Sequence, residues 1–304
     1  MTSYRILLKE LALEPTKQKA SPLLALPAIG WFLWFFLIPL SIVMTYSFAT
    51  KGVYGGVVFE FHLENYARAL DWIYLKIFWN SFKLASLTSI LCLGVGYPMA
   101  YVMATSSARI RALLLMWVVI PFWTNFVVRA YATKTLFGEW GPINQMIQNL
   151  GLVQEPLALS QGDFSIMLGM VTNYLPFMVL PLFVSLDKFD FSLLEAARDL
   201  GASSIRVLKD ILIPLTKKGI VTGLIFVFTP ALGEFVIPDL LGGAKTMLIG
   251  NLITEQFLKT RDWPFGAALS MILMLMVMLS LMIYLRFELG DASSRVEKRA
   301  RKRR

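Results

Sequence analysis

Six stretches of this 304-residue chain are apolar for long enough to cross a bilayer, and no other feature restricts the possible folds as strongly. They cover approximately residues 23–48, 78–105, 112–133, 164–186, 219–241 and 265–287. A spanning helix needs about 20 mainly apolar residues, and within lipid every backbone N–H and C=O must be satisfied inside the protein. The pattern therefore predicts an all-α, polytopic bundle of six transmembrane helices over residues 23–287. A short segment, 1–22, precedes it and a basic tail, 288–304, follows. The chain is 57% hydrophobic, above the roughly 45–50% of soluble domains, and the excess lies in these blocks.

Charge sets the orientation. Arg5, Lys9, Lys17 and Lys19 precede the first run. That run is longer than the apolar part of a signal peptide and lacks a small-x-small cleavage site after it, so it reads as an uncleaved first span. One set of loops and both ends carry 20 of the 29 Lys and Arg residues, and the opposite loops carry 7. The positive-inside bias then places both termini in the cytoplasm. It also explains the net charge of +9 without nucleic acid as a partner. The tail is nearly all basic from Arg295. It reads either as a contact for anionic headgroups or as a stop-transfer flank with a disordered end. The outward loops, 51–77, 138–163 and 242–264, are long enough to receive an extracytoplasmic partner. Their eight acidic and seven basic residues make no strong field. One of them contains GPINQMIQNLG, a helix signal with Pro142 in its first turn and Gly151 after its end.

Several kinds of chemistry are excluded. Cys92 is the only cysteine and His62 the only histidine, so a thiolate metal site and an intrachain disulfide are impossible and a histidine site would rest on one residue. The segment Gly243-Ala244-Lys245-Thr246 lacks the glycine before lysine that a phosphate loop requires, and it faces outward. No cofactor, metal or catalytic residue is expected in this chain, and an energy source such as ATP–Mg would belong to another subunit. Ionisable residues fall within spans, among them Lys83, near an outer end where it can snorkel, and the deeper Arg129 and Glu234. Such residues are functional candidates by default. Two readings stand. Arg129 and Glu234 form an intramembrane charge pair, or one of them pairs with a second subunit. Alternatively, Glu234 and Asp239, with Trp123, Tyr131 and Tyr174 as cation–π partners, line a path for a cationic solute. Prolines at 39, 98, 121, 176, 181, 230 and 238 would kink the spans, as suits a transporter.

Between the fourth and fifth spans lies a polar stretch, 187–218, with the pattern of two short amphipathic helices. Ser192 and Glu195 have capping-box spacing. Leu193, Leu194, Ala197 and Leu200 share one face, and Gly201 suits a left-handed helix end. Ile205, Leu208, Ile211 and Leu212 share a face of the second helix, and Pro214 breaks that helix or opens the next element. Helices this short need a partner surface.

The stretch resembles the loop of permease subunits of bacterial ABC importers, which carry Glu-Ala-Ala, three residues, Gly, nine residues, Ile-x-Leu-Pro. Here the residues are Glu195-Ala196-Ala197, Gly201 and Ile211-Leu212-Ile213-Pro214, with Ile213 in place of leucine. PFWTNFVVRAYA (121–132), GEFVIPDLLGG (233–243) and RDWPFGAALS (261–270) are similar to the spermidine/putrescine branch; branches for other small organic solutes share much of the pattern. The resemblance implies a type I importer permease (MetI-like) architecture in a bacterial inner membrane. It implies a second homologous permease as heterodimer partner, two separate ATPase subunits and an extracytoplasmic solute-binding protein. Glu195, Ala196, Ala197, Gly201, Ile211 and Pro214 would then dock to the ATPase. A secondary transporter is the alternative, but it calls for inverted repeats or a core coupling carboxylate, neither of which the sequence displays.

Overall fold

In the computed structural model, residues 26–52, 56–153, 155, 162–243 and 246–301 are described, with side chains as far as 286. The segment 1–22 and the last three residues of the tail lie outside them. The chain divides into two units, Met1–Thr45 and Tyr46–Arg304.

Helix α1, Leu26–Ser47, is apolar on every side, which is the composition of a membrane span rather than of a surface helix. Its aromatic rings pair one turn apart, Trp31 with Phe35 at 4.4 Å and Phe32 with Phe36 at 5.6 Å.

In the second unit, two-residue strands β1 (Thr50–Lys51) and β2 (Val57–Val58) pair antiparallel, with Thr50 opposite Val58. The short α2 (Glu64–Ala69) then leads into α3 (Trp72–Thr105). At about 1.5 Å per residue its 34 residues exceed the thickness of a bilayer core, so one end projects or the helix tilts. Helix α7 (Asp163–Asp187) and the continuous helical stretch α9 (Ser204–Leu232) pack with α3 into the centre of the bundle. Close approach depends on glycines, as is usual between membrane helices. A Cβ at Gly223 would lie 2.6 Å from Met178 Sδ, and one at Gly96 would lie 3.1 Å from Met178 Cγ. Met178 of α7 is therefore held between α9 and α3. Gly219 meets Ser185 and Pro181 in the same way.

Two predicted spans are broken. The third consists of α4 (Ala108–Trp123) and α5 (Phe126–Leu136), turned by 102°. Thr124 and Asn125 are extended at the bend, and the Asn125 side chain accepts from Val127 N at 2.8 Å, so it starts a new helix. The fifth ends at Leu232 and resumes as α10 (Val236–Leu241) after Gly233-Glu234-Phe235. Five helices are thus long and apolar enough to span among the described residues, or six with the bent pair counted as one.

Pro214 opens the next element, as one of its two predicted roles has it: it stands in the first turn of the α-helical part Ile213–Leu232 of α9. A wide π turn at Leu208–Leu212 lies directly before it in α9. Proline has no N–H and its ring crowds the carbonyl four residues back, here Asp210, and the wider turn relieves both. The surface helix α6 (Pro142–Asn149) forms as predicted, and Gly151 takes φ 69° after its end. The short α11 (Ile249–Leu258) precedes α12 (Trp263–Arg301), which stays helical well past the predicted end at 287.

Two ion pairs pin opposite ends. Arg68 Nη1 meets Asp262 Oδ2 at 2.8 Å, and its guanidinium lies 3.9 Å over the Phe265 ring, joining α2 to the start of α12. Burial works against the Arg68 charge, but hydrogen bonds to Asp262 and Tyr74 outweigh it and raise the Arg68 pKa. At the other end Arg111 Nη1 meets Asp187 Oδ1 at 2.6 Å, joining α4 to α7.

Candidate functional site

Two regions carry the residues that the sequence singles out. The first is the segment joining α7 to α9. Helix α8 (Ser192–Asp199) starts differently from the predicted capping box. Ser192 is itself the first helical residue, and its N and Oγ both donate to Asp190 Oδ1, at 3.1 and 2.7 Å. Glu195 is exposed and takes no part in the start. Asp190, two residues earlier, supplies an Asx turn that does the same work with a shorter side chain.

The end of α8 follows expectation. Gly201 takes φ 82°. Gly201 N donates to Arg198 O at 2.9 Å and Ala202 N to Ala197 O at 3.0 Å, the paired bonds of a Schellman end. Ser203 then caps α9 by accepting from Arg206 N at 3.4 Å.

The apolar faces are only partly turned inward. Leu194, Val207 and Leu212 are buried, whereas Leu200 is 89% and Ile205 78% exposed, with Leu193 and Leu208 also outside. Ala196, Gly201 and Pro214 are exposed, and Ala197 and Ile211 half-buried. A hollow of about 340 Å³ lies behind, between Tyr97 and Tyr101 of α3 and Leu194, Arg198, Val207 and Leu212. The result is an exposed helix–glycine–helix with apolar residues on its outer surface.

The second region surrounds the α9–α10 break. Glu234 is only 6% exposed. Its Oε1 accepts from the backbone N–H groups of Phe235, Val236 and Ile237 at 3.0, 2.8 and 3.2 Å. Its Oε2 accepts a short hydrogen bond from the Tyr174 hydroxyl of α7. A carboxylate at a helix start, with four donors, is well compensated although buried. Gly250 of α11 packs against the break, where a Cβ would fall 2.5 Å from Gly233 O. Asn251 Nδ2 donates to Phe235 O and to Asp239 Oδ1.

The charge pair is not formed as a direct contact. Among the described residues no ion pair joins Arg129 to Glu234, because Tyr174 and the backbone hold the carboxylate. Arg129 Nε and Nη1 are buried without a hydrogen-bond partner, and the guanidinium lies 5.9 Å from the Phe126 ring. Phe126 in turn lies 6.4 Å from the Tyr174 ring. The structure therefore brings Arg129, Tyr174 and Glu234 into one neighbourhood. Trp123, Tyr131 and Asp239 stay exposed, Trp123 at 89%. Lys83 is exposed beside a polar pocket of about 170 Å³ that also contains Asn80, Asp163 and Thr246. No group of three or more His, Cys, Asp or Glu residues could hold a metal among the described residues.

Sequence reasoning missed Asn125, Asp190 and the hydroxyl of Tyr174. The one signal for Asn125 is a cap-forming residue within an apolar run, which mean hydropathy averages away. The sequence pattern presents Tyr174 only as an aromatic face, whereas its hydroxyl is what reaches Glu234.

Comparison with known proteins places this geometry. Residues 93–288 match the family described as binding-protein-dependent transport system inner membrane component. The chain belongs to that family. Its relatives within the family include the spermidine/putrescine transport system permease protein PotB of Escherichia coli, 41% identical with 85% of this chain and 94% of that protein covered. The PotB proteins of Salmonella typhimurium and Haemophilus influenzae are 43% and 40% identical, with 85% and 84% of this chain and 90% of each protein covered. The fold is similar to that of a bacterial ABC transporter that imports the polysaccharide alginate, with TM-score 0.65, 18% identity, and 94% of this chain and 99% of that one covered. It also resembles a chain of the MetNI methionine ABC transporter, at TM-score 0.52 and 16% identity, over 71% of this chain and 94% of that one. This family member is therefore a multi-pass ABC importer permease of the inner membrane, a transport subunit and not an enzyme.

Proposed function

We propose that the chain is the permease subunit of an ATP-driven, binding-protein-dependent importer of spermidine and putrescine, with both termini in the cytoplasm. The observation that carries the polyamine is the 40–43% identity, over 84–85% of the chain, to permeases named for that transport. A second, homologous permease completes the path as a heterodimer, an extracytoplasmic binding protein delivers solute, and two ATPase subunits supply ATP–Mg. Glu195, Ala196, Ala197, Gly201, Ile211 and Pro214 form the element that docks to the ATPase. Support comes from its exposed apolar residues, Leu200 and Ile205 above all, on a helix pair whose ends are locked by Asp190 and Gly201.

The solute path runs beside the α9–α10 break. Asp239 and the exposed aromatic faces of Trp123 and Tyr131 offer cation contacts. Glu234 and Tyr174 shape the wall from behind, and Glu234 is already saturated by protein donors.

ATP hydrolysis by the reconstituted assembly tests the solute. Stimulation by spermidine- or putrescine-loaded binding protein, and none by an unrelated amino acid, is expected. Absence of any polyamine response removes the polyamine but not the importer.

A further inference from the structure

Glu234 lies in the break of the fifth span and Arg129 on the helix that follows the break of the third, and they are satisfied unequally. The Tyr174 hydroxyl and three backbone N–H groups are directed at Glu234, whereas Arg129 keeps two buried nitrogens without an acceptor. A buried cation without a partner is costly unless another state of the protein, or another chain, provides one. Helix α5, which carries Arg129, packs on α7 and α10. The Arg129 guanidinium lies 5.9 Å from the Phe126 ring, and that ring lies 6.4 Å from the Tyr174 ring, so one phenyl group links the two side chains. Tyr174 thus has its hydroxyl on the carboxylate and its ring on the same Phe126 that the guanidinium lies against.

We propose that Tyr174 and Arg129 are alternative partners of Glu234 during transport. In the state described here Tyr174 holds Glu234 Oε2. In the opposite access state Arg129 takes that oxygen, and α5 is drawn toward the α9–α10 break. The three backbone N–H groups keep Oε1 in both states, so the carboxylate is a fixed post and the exchange occurs at one oxygen. Tyr174 and Arg129 are accordingly positioning residues: they select how the break is aimed. Two discrete contacts in a packed interior give two states rather than a continuum. The proposal rests on the importer reading but not on the identity of the solute.

The test uses the whole importer in lipid nanodiscs, with Cys92→Ala as background. In Arg129→Cys/Glu234→Cys, bridging by a short bifunctional thiol reagent should be at least fivefold faster in the vanadate-trapped assembly than in the nucleotide-free one. Equal rates, together with substitution effects in the cycle below that simply multiply, overturn the exchange. Because this pair removes the groups themselves, a double-mutant cycle accompanies it. Tyr174→Phe frees Oε2 for Arg129 and should raise solute-independent ATP hydrolysis several-fold, and adding Arg129→Gln should return it to near the parental rate. A purely structural role for Tyr174 would lower assembly yield without that reversal. Effects of the two substitutions that simply multiply would overturn the proposal. An assembly that never traps vanadate would instead overturn the ATP-driven cycle beneath it.

Discussion

The segment between α7 and α9 and the break between α9 and α10 lie at opposite ends of one helix, and each reverses the ordinary rule of burial. The first exposes leucine and isoleucine; the second buries a glutamate and part of an arginine. Exposed apolar side chains leave the fold intact and await a second surface. A buried carboxylate is costly without donors, and Glu234 takes them from α7 and from the start of α10. Substitutions in the first region should therefore spare folding and damage coupling, while those in the second should damage folding first.

The largest effect expected is at Glu234. Glu234→Ala leaves the Tyr174 hydroxyl and three N–H groups of α10 without their acceptor. Hydrogen bonds to a charged group contribute about 1.5–3 kcal/mol each, and an orphaned buried donor carries a similar penalty. A loss of about 3 kcal/mol is expected, read as a lower thermal midpoint of the purified subunit and less protein in the membrane. Glu234→Gln retains one oxygen acceptor and should recover part of it. A stable Glu234→Ala subunit with altered solute preference would move Glu234 from the wall of the path into the path.

Gly201→Val comes next. A Cβ at Gly201 would meet nothing within 4 Å, so the whole effect arises from φ 82°. Holding a β-branched residue there costs about 1–3 kcal/mol. The segment would relax to another turn, and the angle between α8 and α9 would change with it. Coupled transport should fall about tenfold or more, since 1.4 kcal/mol is a factor of ten, with the thermal midpoint of the bundle nearly unchanged. A large drop in midpoint would mean that the segment supports the fold and is more than a docking element.

Leu200→Ser with Ile205→Ser is smaller in the isolated subunit, within about 0.5 kcal/mol, because both side chains are in solvent. Binding of the ATPase, measured by co-purification at graded concentration, should weaken roughly tenfold if each buries even half its surface on docking. Unchanged association would remove these residues from the interface and leave the exposed face without a partner.

Much of this was legible from residue patterns. Apolar runs give spans because a bilayer leaves the backbone no other solution. Gly201 is readable because a glycine directly after a periodic apolar face has one common use. The breaks in the third and fifth spans were hidden, since an apolar window averages over a single Asn125 or Glu234, and each residue's effect is on backbone direction rather than on mean hydropathy. Partner choice was hidden too. A sequence shows that Arg129 and Glu234 are opposite charges in the third and fifth spans, but it does not show that Tyr174 reaches the carboxylate first. That outcome depends on where a 102° bend sends α5.

The smallest effect should come from the most conspicuous residue of the motif. Glu195 stands where a capping box would use it, yet its carboxylate is exposed and α8 starts on Asp190. Glu195→Gln retains length and shape and should change coupled transport by less than about twofold, within the few tenths of a kcal/mol typical of surface substitutions. Asp190→Ala removes the true start of the helix, worth about 1 kcal/mol, and should hurt more although it lies outside the motif. Transport measured side by side decides between shape and charge. If Glu195→Gln is the more damaging of the two, the docking partner reads that carboxylate directly, and the segment contributes a specific ionic contact in addition to its form.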